Sequence, residues 1–403
     1  MQDQAYIGRG PILDKHQTIV GYELLFRHTG VPAADGSDAL QADAQALVDA
    51  LRSGSTDWAL ENKLALLRVP TSLLMGDFSE QLPADRVILE IADATPPTPE
   101  LLARCRKLRA DGVRLALNNF ELTAETAPLL EIAHFVKVDP QQTGPDKIEA
   151  LDRALEGHSG KLLATGVDTR AAYEQAKKLG FAYFQGFYFL HPETLSAKTI
   201  NPAYANVLDV LKKVRDNAEV KDIELSFKRD VALSFKLLRY INSVGFGLSC
   251  EIQSIRHALA ILGYQQLYRW ATLLLVSAEK EASSPALLKT AVTRGRLTEL
   301  FGQELLEPKD RDNLFVVGVF SLLDAMMEMP MEKVLDKLFL PDTVTDALLH
   351  HQGIYGPFLA LAEACEQGEP DRIDKLASAL QLGPGKINRA HIEALAWVEK
   401  LGL

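Results

Sequence analysis

Cysteine is scarce: the chain has three, Cys105, Cys250 and Cys365, far apart and with no C-x-x-C spacing. That excludes a disulfide framework and a thiolate zinc site, and fits three small core or surface residues in a reducing compartment. Long apolar runs are missing as well. The nearest, around Trp270–Val276, falls short of the roughly 18 residues a membrane span needs, so no membrane insertion is expected. The N-terminus, MQDQAYIGRGPILDKHQ, lacks the basic start and apolar core of a signal peptide, which makes a cytoplasmic location the expectation. Basic residues are in the minority, 43 against 54 acidic for a net charge of −11, so no nucleic-acid partner is expected. There is no low-complexity tract and no internal repeat. What remains is ordinary globular usage, 47% hydrophobic and 24% charged over 403 residues, enough for two or three domains.

The two halves have different patterning. In the first, β-rich runs at Ile19–Phe26, Leu64–Val69, Arg86–Ile91, Val113–Leu117, His134–Val138, Lys161–Ala164 and Ala182–Phe184 follow a leading Tyr6–Arg9. Helix-like stretches separate them at Ala39–Leu51, Pro99–Ala110, Ala124–Glu131, Pro145–Glu156 and Ala171–Leu179. This alternation predicts parallel βαβ units closed into a compact (β/α) barrel, with Tyr6–Arg9 and Ile19–Phe26 paired as a hairpin. After His191-Pro192 the apolar residues recur at helical spacing, as in Leu233, Leu237, Leu238 and Ile241. The expected class is therefore α/β plus all-α, divided as 1–200 (barrel) and 201–403 (helical).

Barrel chemistry sits at the C-terminal ends of the strands. Reading those positions in order gives Glu23 and Arg27 in GYELLFR, Arg68 ending LALLR, Glu90 ending VILE, and Asn118-Asn119 ending RLALNN. Lys137 and Asp139 follow in FVKVD, Thr165 and Asp168 in LLATGVDT, and Gln185 in YFQGF. A lone polar residue at a strand end is commonly a solvated loop anchor; this many together point to a site or the remains of one.

GYELLFR, LEIAD, LNNF, VKVD, ATGVDT and FQGFYF occur in the order and at the spacing of the EAL domain, and the chain resembles that family. In the second half, RDVALSFKLLRYINS, CEIQSIRHALAILGYQQLYRW and VVGVFSLLDAMMEMPMEKVL resemble the HDOD domain. The resemblance covers essentially the whole chain. It implies a modified TIM-like (β/α) barrel of the cyclic di-GMP phosphodiesterases, joined to an all-helical, HD-related domain that binds protein partners. Relatives of this kind act in motility, surface attachment and biofilm regulation.

Active EAL domains use two divalent cations held by carboxylates and an asparagine. Here Glu23 and Glu90 keep two of the family's glutamates, while Arg68 stands for the asparagine and Asn118 and Asn119 for the paired aspartates. Thr165 replaces a further glutamate, and Asp168 shortens another; Lys137, Asp139 and Gln185 remain. Losing two charges to amides and gaining an arginine weakens a site for Mg²⁺ or Mn²⁺, which needs anionic oxygens to offset dehydration. The expectation is a catalytically silent signalling protein with no metal and no cofactor, in which Arg68 pairs with both Glu23 and Glu90. Two alternatives stay open: a metal-independent cyclic di-GMP receptor using Arg27, Lys137 and Gln185, and a residual phosphodiesterase using Glu23, Glu90 and Asp139. Lys137 could instead be a lysine satisfied by Asp139.

The helical half lacks the His-Asp pair of HD-type phosphohydrolases: that dipeptide occurs nowhere in the chain. Its histidines, His257, His350, His351 and His391, read as solvated or capping residues. Met326, Met327, Met329 and Met331 read as core around a turn at Pro330, and Trp270 as a core anchor.

Overall fold

A computed structural model describes residues 5–29, 37–52, 59–91, 97–118, 120–190, 203–242, 252, 254–277, 284–336, 338 and 340–401. Eight strands close a barrel in chain order: β1 Ala5–Asp14, β2 Ile19–His28, β3 Leu64–Val69, β4 Val87–Ile91, β5 Arg114–Leu117, β6 Phe135–Val138, β7 Lys161–Ala164 and β8 Tyr183–Gln185. From β2 to β8 neighbouring strands are parallel, whereas β1 runs antiparallel to both β2 and β8. The reversal follows from a short turn in which the Asp14 carboxylate accepts the amides of His16 and Thr18, at 2.8 and 3.0 Å, and Gln17 takes φ 60°. The expected hairpin is present, and its first strand also closes the barrel.

Helices Ser37–Arg52, Pro99–Ala110, Pro145–Leu155 and Arg170–Lys178 connect parallel strands. Thr98 and Thr169 cap two of them by accepting the amides of Leu101 and Ala172. The helix expected at Ala124–Glu131 is instead a 3₁₀ turn, Ala127–Glu131. Thr123 and Thr126 hydrogen-bond each other's side chains and nearby backbone groups, which competes with a regular α-helical start.

Side chains alternate across a strand, so one parity faces the barrel axis. Ile12, Leu66, Ile88, Ala116, Phe135 and Leu163 form a dry layer there. Two residues further along the parallel strands, on the same face, come Arg68, Glu90, Asn118, Lys137 and Thr165. The apolar plug is thus a floor, and the polar layer above it is the mouth.

By internal contacts the chain forms two compact units: Met1–Glu193 with Ser284–Ala286 and Ala360–Leu403, and Thr194–Ser283 with Leu287–Leu359. Residues 360–403, read from sequence as part of the helical half, therefore join the barrel's unit. Within it, helices Pro370–Ala379 and Pro384–Lys400 pack on β1.

The other unit is helical throughout its described residues. Trp270 lies 7% exposed between Phe227 and Tyr240, with ring centroids at 6.1 and 6.0 Å. Met326, Met327 and Met329 are buried, as expected for core, whereas Met331 is only half-buried. Helices Pro285–Gly302 and Pro308–Phe320 touch backbone to backbone: a Cβ on Gly318 would lie 2.6 Å from the Gly295 Cα. Ile255–Ser277 breaks at Gly263, whose φ of 68° and ψ of 173° end one helical run and start another. His257, His350 and His351 are exposed, and His351 closes Asp342–His350 in the left-handed conformation at φ 54°. His391 departs from the solvated reading: it belongs to the barrel's unit and is fully buried.

Candidate functional site

Lys137, projecting from β6, is the hub of the barrel mouth. Its ammonium donates to Glu23 Oε1 at 2.6 Å and to Glu90 Oε2 at 2.5 Å, with its side chain 4% exposed. Gln185 Nε2 donates to the other Glu23 oxygen, joining β8 to β2. Gly10 makes room for that amide, since a Cβ there would lie 2.7 Å from Gln185 Nε2. These charge-assisted bonds offset the desolvation of three ionic groups that have left water together.

Burial raises the pKa of a carboxyl and lowers that of an ammonium, and pairing acts the other way. For Glu23, burial pushes upward but Lys137, Gln185 and the Arg27 guanidinium outweigh it, and the pKa is lowered. For Glu90, burial reinforced by the Glu23 charge outweighs Lys137 and Arg68, and the pKa is raised. For Lys137, burial pushes downward but the two glutamates prevail, and the pKa is raised. The ammonium stays charged, Glu23 is its firm counter-ion, and Glu90 is the acid that takes a proton more readily.

Arg68 does not hold the seat expected of it. Its Nε lies 3.8 Å from Glu90 Oε1, beyond hydrogen-bond reach, and its side chain is 32% exposed. The link between Glu23 and Glu90 is Lys137 instead. β3 pairs directly with β4, and in that register Arg68 is the strand neighbour of Glu90, so its side chain lies beside the carboxylate. Nor is Lys137 satisfied by Asp139. That carboxylate turns to its own loop, accepting the Gln141 amide at 2.8 Å and the Gln142 side chain at 2.7 Å. Asp168 accepts the Phe187 amide at 3.0 Å and ties the loops after β7 and β8 together.

Glu23, Arg27, Asn118, Lys137, Thr165 and Gln185 line one cavity of about 410 Å³ at the mouth. Arg27 is exposed there and makes no hydrogen bond or ion pair among the described residues. Asn119 lies outside the described residues. Among the described residues no group of three or more His, Cys, Asp or Glu is placed to hold a metal ion. The donors nearest to such a role, Glu23 and Glu90, share an ammonium, and a guanidinium stands beside the second.

Sequence reading passed over Arg9, Gln367 and Gly368, which line the same mouth, and Glu366, the buried partner of Arg9. Alternating Gly8-Arg9-Gly10 within a strand was a usable signal, because glycine in a strand marks close approach by other groups. Glu366 carried none: it is one of two glutamates in a mostly apolar helix, Gly356–Gln367.

A closed barrel with a charged mouth, continued by a helical domain, defines the class. Residues 68–192 match the EAL domain and residues 199–336 the HDOD domain, so the chain is an EAL–HDOD protein, an architecture of cyclic di-GMP signalling. It is 27% identical over 400 residues to the cyclic di-GMP phosphodiesterase CdgJ of Vibrio cholerae, covering 98% of this chain and 93% of that one. It is 26% identical over 407 residues to the uncharacterized protein YuxH of Bacillus subtilis, covering 99% of both. Among solved structures, an EAL domain protein from Listeria monocytogenes aligns with 46% of this chain and 87% of its own, at 19% identity and a TM-score of 0.36. No helix among the described residues is long and apolar enough to cross a membrane.

Proposed function

We propose that the barrel is a catalytically silent sensor that takes cyclic di-GMP without metal, and that the helical unit, Thr194–Ser283 with Leu287–Leu359, docks a protein partner. One observation carries this reading: Lys137 Nζ lies 2.6 and 2.5 Å from the two carboxylates that a two-metal site would need. Two acids against Lys137 and Arg68 leave the donor set without net negative charge. A second cation brought within about 4 Å of a fixed one meets repulsion of about 4 kcal/mol per unit charge at an effective dielectric near 20. Asn118 offers an amide where a carboxylate would supply charge. The residues present do not fit a divalent pair, and no hydrolytic step is built on one.

An anionic ligand suits them better. Arg27 is an uncommitted guanidinium at the cavity edge, suited to a phosphodiester oxygen. Isothermal titration of the full chain with cyclic di-GMP, with and without Mn²⁺, tests the reading. The expected result is the same affinity in both, weakened by Arg27→Ala; binding that requires Mn²⁺ contradicts it. The phosphodiesterase reading draws support from CdgJ, which matches nearly the whole chain and is named for that activity.

A further inference from the structure

β1 has ten residues and β8 only three, so β8 covers β1 from Ile12 to Asp14 and leaves the outer edge of Ala5–Gly10 without a strand neighbour among the described residues. Residues from the far end of the chain fill that edge. The Asn388 side chain accepts the Ile7 amide at 2.9 Å and donates to the Ala5 carbonyl at 3.0 Å, making the pair of bonds a neighbouring strand would make. The Tyr6 hydroxyl donates to Asp374 Oδ1 at 2.9 Å.

Arg9 completes the seam. Its guanidinium meets Glu366 at 3.1 Å with the two side chains 3% and 2% exposed, and so pins the end of helix Gly356–Gln367 against the strand. A buried pair of this kind is costly to break from one side, since the partner is left charged and dry. The next two residues, Gln367 and Gly368, line the same cavity as Glu23, Arg27 and Lys137. The fit around Arg27 is close. A Cβ on Gly8 would lie 3.4 Å from Arg27 Cγ and 3.8 Å from the Gly368 Cα. Gly368 itself has φ 66°, and a Cβ there would lie 3.9 Å from Arg27 Nε.

We infer that residues 366–368 form a specificity-determining wall of the ligand cleft, with Glu366 as the positioning residue and Gln367 beside the phosphodiester bound at Arg27. Recognition of a cyclic dinucleotide then depends on residues outside both matched segments, 68–192 and 199–336. The phosphodiester part of this inference rests on the function proposed above; the wall itself does not.

Gln367→Trp in the full chain is the discriminating variant, because Gln367 is exposed and a bulky ring there fills the cleft without entering the core. Cyclic di-GMP affinity by titration should fall at least about tenfold, with an unchanged melting temperature. A second readout needs no ligand: phenylglyoxal labelling of Arg27, followed by peptide mass spectrometry, should slow at least about threefold as the ring shields the guanidinium. Wild-type binding with equal affinity in Gln367→Trp overturns the wall and leaves the proposed function standing. If the wild type binds no cyclic di-GMP, the proposed function fails, and the labelling rate alone decides the wall: slowed supports it, unchanged overturns it.

Discussion

The barrel mouth and the helical unit satisfy their buried polar groups over different spans of chain. In the helical unit the hydroxyls of Thr272, Thr293 and Thr298 each bond a carbonyl four residues earlier in the same helix. Arg294 there reaches Ser321, 27 positions away, and Glu224 accepts from Arg256, 32 away. In the barrel mouth, Lys137 reaches acids 47 and 114 positions away, and Gln185 reaches one 162 positions away. Local satisfaction is compatible with a packed scaffold and asks little of the rest of the chain. Convergence of distant ionic groups on one point is costly in desolvation, and such clusters of perturbed titratable groups concentrate at functional sites.

The sharpest way to break this comparison is Lys137→Ala. It leaves Glu23 and Glu90 buried and facing each other, and should cost about 3–5 kcal/mol in denaturant unfolding. A loss no greater than that of a single helical hydroxyl would remove the distinction between the units.

Acid should separate them next. His391 sits fully buried against β1, and burial, with the Arg9 charge adding to it, pushes its pKa down to about 3. A histidine lowered in the folded state keeps its full contribution above its ordinary value near 6.5 and loses it as pH falls toward about 3. Glu23, also lowered, loses its contribution as pH falls from the ordinary carboxylate range through its depressed value. Glu90, raised, works the other way, because protonation relieves its burial. At about pH 4.5 the histidine alone accounts for about 3 kcal/mol, so hydrogen exchange should rise first in peptides from β1 and Pro384–Lys400. Exchange rising first in the helical unit contradicts this.

Thr298→Val tests the scaffold side. Its hydroxyl also donates to the Leu314 carbonyl across to the next helix, at 2.8 Å, and its removal should cost about 1 kcal/mol. Arg68→Ala should matter least. With its side chain 32% exposed and 3.8 Å from Glu90, it should change stability by no more than about 1 kcal/mol. A loss as large as that of Lys137→Ala would restore Arg68 to the central seat.

Much of this was legible beforehand, for identifiable reasons. Short β-rich runs alternating with helical stretches marked the strands, and the polar residues ending them marked the mouth. Which base meets which acid was not legible. Arg68 and Lys137 share the interior face, and only the closed barrel puts β6 where its lysine reaches both β2 and β4. The return of residues 360–403 to β1 was hidden too, because an amphipathic helix announces a buried face without naming what covers it. His391 was misread for that reason: nothing in its own helix shows that its neighbour is a strand near the start of the chain.

The central claim is that the Lys137 ammonium holds the carboxylates a divalent pair would need. Product formation from cyclic di-GMP by the full chain, with saturating Mg²⁺ or Mn²⁺ at neutral to alkaline pH, tests it most directly. The account predicts no turnover above background. Metal-dependent turnover that disappears in Glu23→Ala would contradict it and make the barrel an enzyme.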